Sequence, residues 1–323
     1  MFDAGLIETI PSKLAGCMDD GFTSDERLQA HKLIILSYLF DDNMEEAESA
    51  MLSFLTEFPA YEAVATDPRE FIVMKETFDT RPVLMIGGNI GANFTFPLAT
   101  DRVGLYKYSE YRGSWVPGGA GVNASFRIER RIVPKLDFFS EIMFANNRFD
   151  FYLDNDTEPQ PFTGEITDFA KIEYYETQNR LSLPLGIMYD FSDGDFQPTL
   201  ALGIQPGVNL TVRADGFCDY EDTGDTNFDP VSVTNIDVSS TRRTFNISAF
   251  VGLGFKYKLG PGVMNVNARL YSNLLNQVKA GGDRYIQELV FETFFVTDNL
   301  LLNNFAVSAG YMFPIYNPKK KEE

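Results

Sequence analysis

The sequence predicts an α+β protein. A small helical module covers residues 1–80, an eight-stranded antiparallel β-barrel covers 82–316, and a short charged tail covers 317–323. Three observations carry this reading. Apolar residues recur at helical spacing in the first quarter and at every second position from Pro82 onward. The alternating segments form an even set of eight. Their connections are alternately short and long, the pattern of barrels that cross a membrane, with tight turns at one end and long loops at the other.

The helical module is read first. Ser24, Asp25 and Glu26 suit a helix start, and Leu28, Lys32, Ile35 and Leu39 follow at helical spacing. Ala47, Met51, Phe54 and Leu55 stripe a second helix, which Pro59 ends. Residues 2–18 supply a preceding helix, and Asp67-Pro68 opens a short last one. The spacing of Tyr38, Ala47, Phe54 and Pro59 resembles a tetratricopeptide repeat over about residues 28–61. A single repeat leaves an apolar face uncovered. The module is therefore either a self-satisfied helical cap or a docking element for a protein partner, with Tyr38 as a candidate contact.

The strands follow in order. The first, Val83 to Phe96, sets Leu84, Ile86, Ile90 and Phe94 against Met85, Asn89, Asn93 and Thr95. Val122, Ala124, Phe126 and Ile128 mark the second, and Phe138, Ile142 and Phe144 the third. Leu181, Leu183, Leu185, Ile187 and Tyr189 mark the fourth. In the fifth, Leu200, Leu202, Ile204, Val208, Leu210 and Val212 oppose Gln205, Asn209, Thr211 and Arg213. Phe245 to Ser272 is a hairpin giving the sixth and seventh, broken at Leu259-Gly260-Pro261-Gly262. Phe305, Val307, Ala309, Tyr311 and Phe313 form the eighth. The hairpin arms run roughly ten to thirteen residues, against about five or six in an ordinary strand, and tilted strands of about nine to eleven residues span a bilayer.

Short connections fall at 132–135, 192–195 and 259–262, and long ones at about 97–117, 152–172, 214–240 and 275–300. A soluble sandwich has no reason to gather every long loop at one end. The expected location is a bacterial outer membrane, with the module and the tail in the periplasm. The start, MFDAGLIETIPSK, lacks a basic segment and apolar core, so a leader is expected to have been removed.

Eight strands enclose an interior that side chains fill. Arg127, Glu129, Glu141, Arg213, Asn265, Asn267 and Arg269 are expected to point inward and pair, since buried charges must offset their desolvation. That predicts a plugged barrel rather than a pore.

Gly310-Tyr311-Met312-Phe313 looks like the aromatic outer-membrane insertion signal. The order of a short repeat-like module, an Asp-Pro-x-Glu-Phe helix and a strand of the type IGGNIGANF resembles Bacteroidota envelope proteins with a barrel of the PorT-type family. That resemblance implies an outer-membrane protein, and in some relatives a role in type IX secretion and gliding.

A net charge of −19 excludes nucleic acid as a natural partner. The two cysteines are too few for a disulfide framework. Asp225, Asn227 and Asp229 alternate like calcium ligands, though Pro230 replaces the expected Gly, so calcium competes with a solvated acidic loop. Tyr106, Tyr108, Tyr111 and Trp115 are either partner anchors or rim aromatics. No cofactor motif is present, and with His31 as the single histidine no hydrolase pairing is visible. The expectation is a non-enzymatic outer-membrane barrel whose module docks a protein partner, as an accessory subunit of an envelope or secretion complex. The alternatives are a small transporter or ligand-binding barrel, or a soluble β-rich periplasmic binding protein.

Overall fold

The computed structural model describes residues 9–18, 21–103, 113–154, 169–192, 194–220, 229–279 and 284–321. The chain divides into two compact units, one of Met1–Met85 with Pro314–Glu323 and one of Ile86–Phe313.

The first unit holds α1 (Ile10–Met18), α2 (Ser24–Phe40), α3 (Met44–Glu57), α4 (Arg69–Glu76) and the short β1 (Phe78–Asp79). The start of α2 is a capping box set one residue earlier than Ser24. The Thr23 hydroxyl accepts from the Glu26 amide, and the Glu26 carboxylate accepts from the Thr23 amide at 2.8 Å. Ile35, Ala47, Met51, Phe54, Leu55 and Phe71 are fully buried, so α4 packs its Phe71 against the α2–α3 pair. The Phe54 and Phe71 rings meet edge to face at 5.5 Å.

The second unit is a closed ring. Its elements are β2 (Pro82–Asp101), β3 (Ser114–Pro117), β4 (Gly121–Val133), β5 (Leu136–Asp154), β6 (Phe169–Ser182), β7 (Leu185–Asp190), β8 (Phe196–Tyr220), β9 (Val231–Asp237), β10 (Phe245–Leu259), β11 (Gly262–Asn273), α5 (Gln287–Thr293) and β12 (Asn299–Tyr316). Around the ring the order is β2, β4, β5, β6 with β7, β8, β10, β11 and β12, which pairs back onto β2. All the pairings whose register is defined are antiparallel. β6 and β7 share one stave, since both pair with β5 and with β8. The break falls at Leu183-Pro184, because Pro184 has no N–H to donate. Its carbonyl still accepts from the Glu141 amide at 2.9 Å, and the Leu183 amide donates to the Pro206 carbonyl at 2.8 Å. The eight staves are those the sequence predicts.

Alternation sorts the ring into two faces. Outward lie Ile90, Val122, Ile142, Leu202, Val251 and Leu270, all exposed. Inward lie Asn93, Arg127, Glu141, Lys256 and Arg269, all buried. Gly252 sits opposite Arg269 across the β10–β11 hairpin, and a Cβ there would fall 2.7 Å from Arg269 Cγ. The glycine is what lets that guanidinium fold into the interior.

One predicted inward residue faces the other way. In β8, Asn179 pairs with Thr211 and Arg180 with Asn209, so Leu210 is an unpaired extra residue. Such a bulge reverses the alternation. Beyond it Val212 is buried, and Arg213 is exposed and paired with Asp237 on β9. Arg213 is therefore not part of the interior network.

Past β12, the tail forms β13 (Lys319–Lys320) and pairs antiparallel with β1 in the first unit. Lys320 Nζ lies 2.6 Å from a Glu48 carboxylate oxygen, and the Lys321 amide donates to the Thr77 carbonyl at 2.8 Å.

Candidate functional site

The barrel interior is the densest concentration of chemistry in the molecule, and it is layered. Nearest the short turns, Lys256 sits among three carboxylates. Its Nζ is bonded to Glu129, lies 2.9 Å from Asp137 and lies 3.3 Å from Asp190. Arg131, one-third exposed at the rim, reaches Asp137 and Asp190 at 2.8 Å each.

The next layer is a guanidinium–carboxylate stack. Arg269 clasps Glu141 through two nitrogens, at 2.9 and 2.7 Å. Arg127 lies 3.1 Å from Glu129 and 3.6 Å from Glu141. Its guanidinium carbon stands 4.3 Å from the Phe139 ring centroid. Arg127, Arg131, Lys256 and Arg269 thus match Glu129, Asp137, Glu141 and Asp190 charge for charge. Two-nitrogen Arg–carboxylate geometry is the form in which a buried pair best offsets its desolvation.

Above the charges comes a layer of amides. Asn93, Asn123, Asn147, Gln205 and Asn304 surround Arg180 and a small cavity. Further toward the long loops, Arg242 binds Glu176 at 2.5 Å and donates to the Tyr174 hydroxyl at 3.0 Å. The interior then turns apolar. Phe151, Leu153, Ile172, Tyr174, Val212 and Cys218 form a core with Leu289 of α5 and Phe295. The Tyr174 and Phe295 rings stack at 3.9 Å, and Trp115 lies 5.1 Å from Phe151.

The predicted network residues are mostly brought together. Arg127, Glu129, Glu141 and Arg269 share the ion-pair stack, and Asn267 donates to Asn265 at 2.7 Å. Lys256, Asp190, Arg180 and Glu176 also carry the interior, beyond the residues expected there. Their signal was available, because each occupies an inward position of an alternating strand. Arg242 lies in the connection after β9, where no alternation could place it.

The partner candidates fare differently. Trp115 is half-buried against the apolar interior core, and its indole N–H donates to Asp298 at 3.0 Å. Tyr38 is half-buried against the helical core. Tyr106, Tyr108 and Tyr111 lie outside the described residues, as do Asp225 and Asn227; Asp229 is exposed. Among the described residues no group of three or more His, Cys, Asp or Glu side chains could hold a metal ion. Cys17 is exposed and Cys218 buried, and neither is in a disulfide.

Among the described residues of the helical unit, Lys32 and Asp67 form a buried ion pair. Lys32 Nζ donates to Asp67 and to the Tyr61 hydroxyl, each at 2.6 Å, and Tyr61 donates to Asp67 at 2.6 Å. Burial raises the Asp67 carboxyl, but the bonds from Lys32 and Tyr61 outweigh it and hold the group below its usual range. Burial lowers Lys32, and the same bonds outweigh that and raise it. The Asp79 carboxyl is held down to about 2 by hydrogen bonds from Arg81. His31, buried beside Phe54, shares a 2.9 Å hydrogen bond with Glu57.

The chain matches no family model and no curated protein. Neither the PorT-type nor the tetratricopeptide resemblance therefore has a family match behind it. Solved structures similar to the chain include Neisserial surface protein A, 13% identical over 72% of this chain and 97% of that one, with a TM-score of 0.30. They also include a major outer membrane protein from Thermus thermophilus, 14% identical over 71% and 99%, with a TM-score of 0.30. A third is the outer membrane protease OmpT from Escherichia coli, 9% identical over 72% and 96%, with a TM-score of 0.26. The last corrects one expectation. A protease stands among the matched barrels, so the reading of this chain as non-enzymatic is withdrawn. Likenesses this distant give the chain neither an activity nor a partner.

Proposed function

We propose that the chain is an integral outer-membrane protein. Its barrel is sealed by its own interior, and it carries the helical unit as a docking element for a protein partner in the periplasm. The observation behind this is the inversion of the ring, with apolar side chains outside and paired charges inside. Such an outer face is costly in water and stable in hydrocarbon. The chain enters β2 and leaves β12 at the end where the short turns lie, since Met312 pairs with Val263 beside the Gly262 turn. In an outer-membrane barrel that end faces the periplasm. A sealed barrel with an appended helical unit fits an accessory subunit of an envelope or secretion complex.

Two measurements test the proposal. The chain should stay with membranes after urea extraction, and release by urea alone would contradict membrane insertion. Affinity capture should recover a protein partner with the full chain and lose it when residues 1–80 are deleted. Recovery of the same partner by the shortened chain would end the docking proposal. The transporter reading has the cavity beside Arg180 in its favour, but about 20 Å³ admits a water-sized species and no organic solute.

A further inference from the structure

Arg180 differs from Arg127, Lys256, Arg269 and Arg242, each of which is paired with a carboxylate. It is 4% exposed, yet among the described residues no carboxylate lies within ion-pairing distance of it. Its Nε donates to Asn209 at 3.0 Å, and its Nη2 to Gln178 and Gln277 at 3.2 Å each. Nη1 has a single long contact, 3.5 Å, with Asn273. All of these partners are neutral amide oxygens, so one full positive charge is uncompensated. The nearest layers offer no relief, because Glu176 is already clasped by Arg242 and Glu141 by Arg269.

The guanidinium lines a cavity of about 20 Å³, where a void of roughly 10–15 Å³ holds one water. Asn123 lines the same cavity, is 6% exposed, and its side-chain N–H₂ has no hydrogen-bond partner in the protein. Asn273, beside Arg180, also has an unpartnered N–H₂. Arg180 and the unpartnered N–H₂ of Asn123 thus share the wall of a water-sized void, a pairing that suits a small anion, and the one unpartnered acceptor among the described residues of that wall is the Oδ1 of Asn93. A void of this size suits a single small anion better than sulfate or phosphate.

We propose that the cavity is a binding site for a single monatomic anion, chloride under physiological conditions, held by Arg180 and Asn123 as the internal counter-ion of the barrel. A buried charge with no partner is among the more costly features a fold can carry, and a bound halide removes that cost. The anion is thus a structural ligand, linked to barrel stability by mass action.

The test uses the full chain, folded in detergent and dialysed into gluconate. Adding chloride or bromide at constant ionic strength should raise the thermal unfolding midpoint saturably. The rise should be roughly 5–10 °C once the anion is about a hundredfold above its Kd. Sulfate should not reproduce it. Asn123→Asp places a carboxylate on the cavity wall, so this variant should fold and show no halide response. Arg180→Met should also lose the response if it folds. Anomalous scattering from bromide-soaked crystals, measured on the unaltered chain, should place one peak in the cavity. An equal response to chloride and sulfate would overturn the proposal. So would a halide response retained in Asn123→Asp, or no bromide peak beside Arg180.

Discussion

The two units bury opposite things. The helical unit hides Ile35, Met51, Phe54 and Phe71 and, with them, the ion pair Lys32–Asp67. The barrel hides Arg127, Glu129, Glu141, Lys256 and Arg269 and turns Ile90, Ile142, Leu202 and Leu270 outward. The same chain obeys one rule in two solvents. In water the apolar groups go inside, whereas in hydrocarbon they stay outside and the polar groups must find each other. The difference teaches where the folding energy resides. Removing a ring from the helical core leaves a cavity, but removing one charge from the barrel interior leaves its partner stranded in low dielectric.

The largest expected effect tests that second statement. Glu141→Leu strips the partner from Arg269 and takes one of two from Arg127. It should cost the barrel about 4 kcal/mol or more, read by denaturant unfolding in detergent. A loss below about 1 kcal/mol would mean that the stack does not hold the barrel together. Next, Ile90→Arg puts a charge on the outer face near mid-strand. It should cost about 3 kcal/mol for the barrel unfolded from lipid vesicles, whereas a surface residue in water would show almost nothing.

The helical unit gives a smaller, pH-dependent effect. Asp67→Asn should cost it about 2 kcal/mol near neutral pH, because buried Lys32 loses its counter-charge. The signs follow from the directions of the two shifts. Asp67 is held below its ordinary value of 3.8, so its stabilisation is present above that value and lost as pH falls through the depressed one. Lys32 is raised above 10.5, so its contribution is present below 10.5 and lost as pH rises through the higher value. Stability of the unit should therefore plateau between those limits, and the plateau should flatten out in Asp67→Asn.

The smallest effect is the sharpest test of register. Arg213→Ala should change stability by less than about 0.5 kcal/mol, since Arg213 is exposed and its contact with Asp237 is 3.9 Å long. Uninterrupted alternation along β8 would bury it and make the same change cost several times more.

Most of the fold was legible because alternation and loop length are local properties of the sequence. Leu270 faces out and Arg269 in for the same reason that period two is visible on the page. What alternation hid was the point where it stops, the extra residue at Leu210. No turn residue marks that bulge, so Val212 and Arg213 were assigned to each other's faces. The interior was legible only as a set of inward positions. That Arg269 chooses Glu141 and Lys256 chooses Glu129 depends on the stagger of strands far apart in sequence. Arg242 arrives from a connection, and its bond to Glu176 had no pattern to announce it. Trp115 reads as an aromatic of consequence, but whether it faces solvent or Phe151 depends on β3 pairing with β5.

The central claim is that paired charges close the interior of a membrane-spanning ring. Ion efflux from vesicles carrying the chain tests it most directly, using only vesicles in which flotation has shown the protein to be inserted. Efflux should match that of protein-free vesicles. A steady release proportional to the amount of inserted protein would contradict the account.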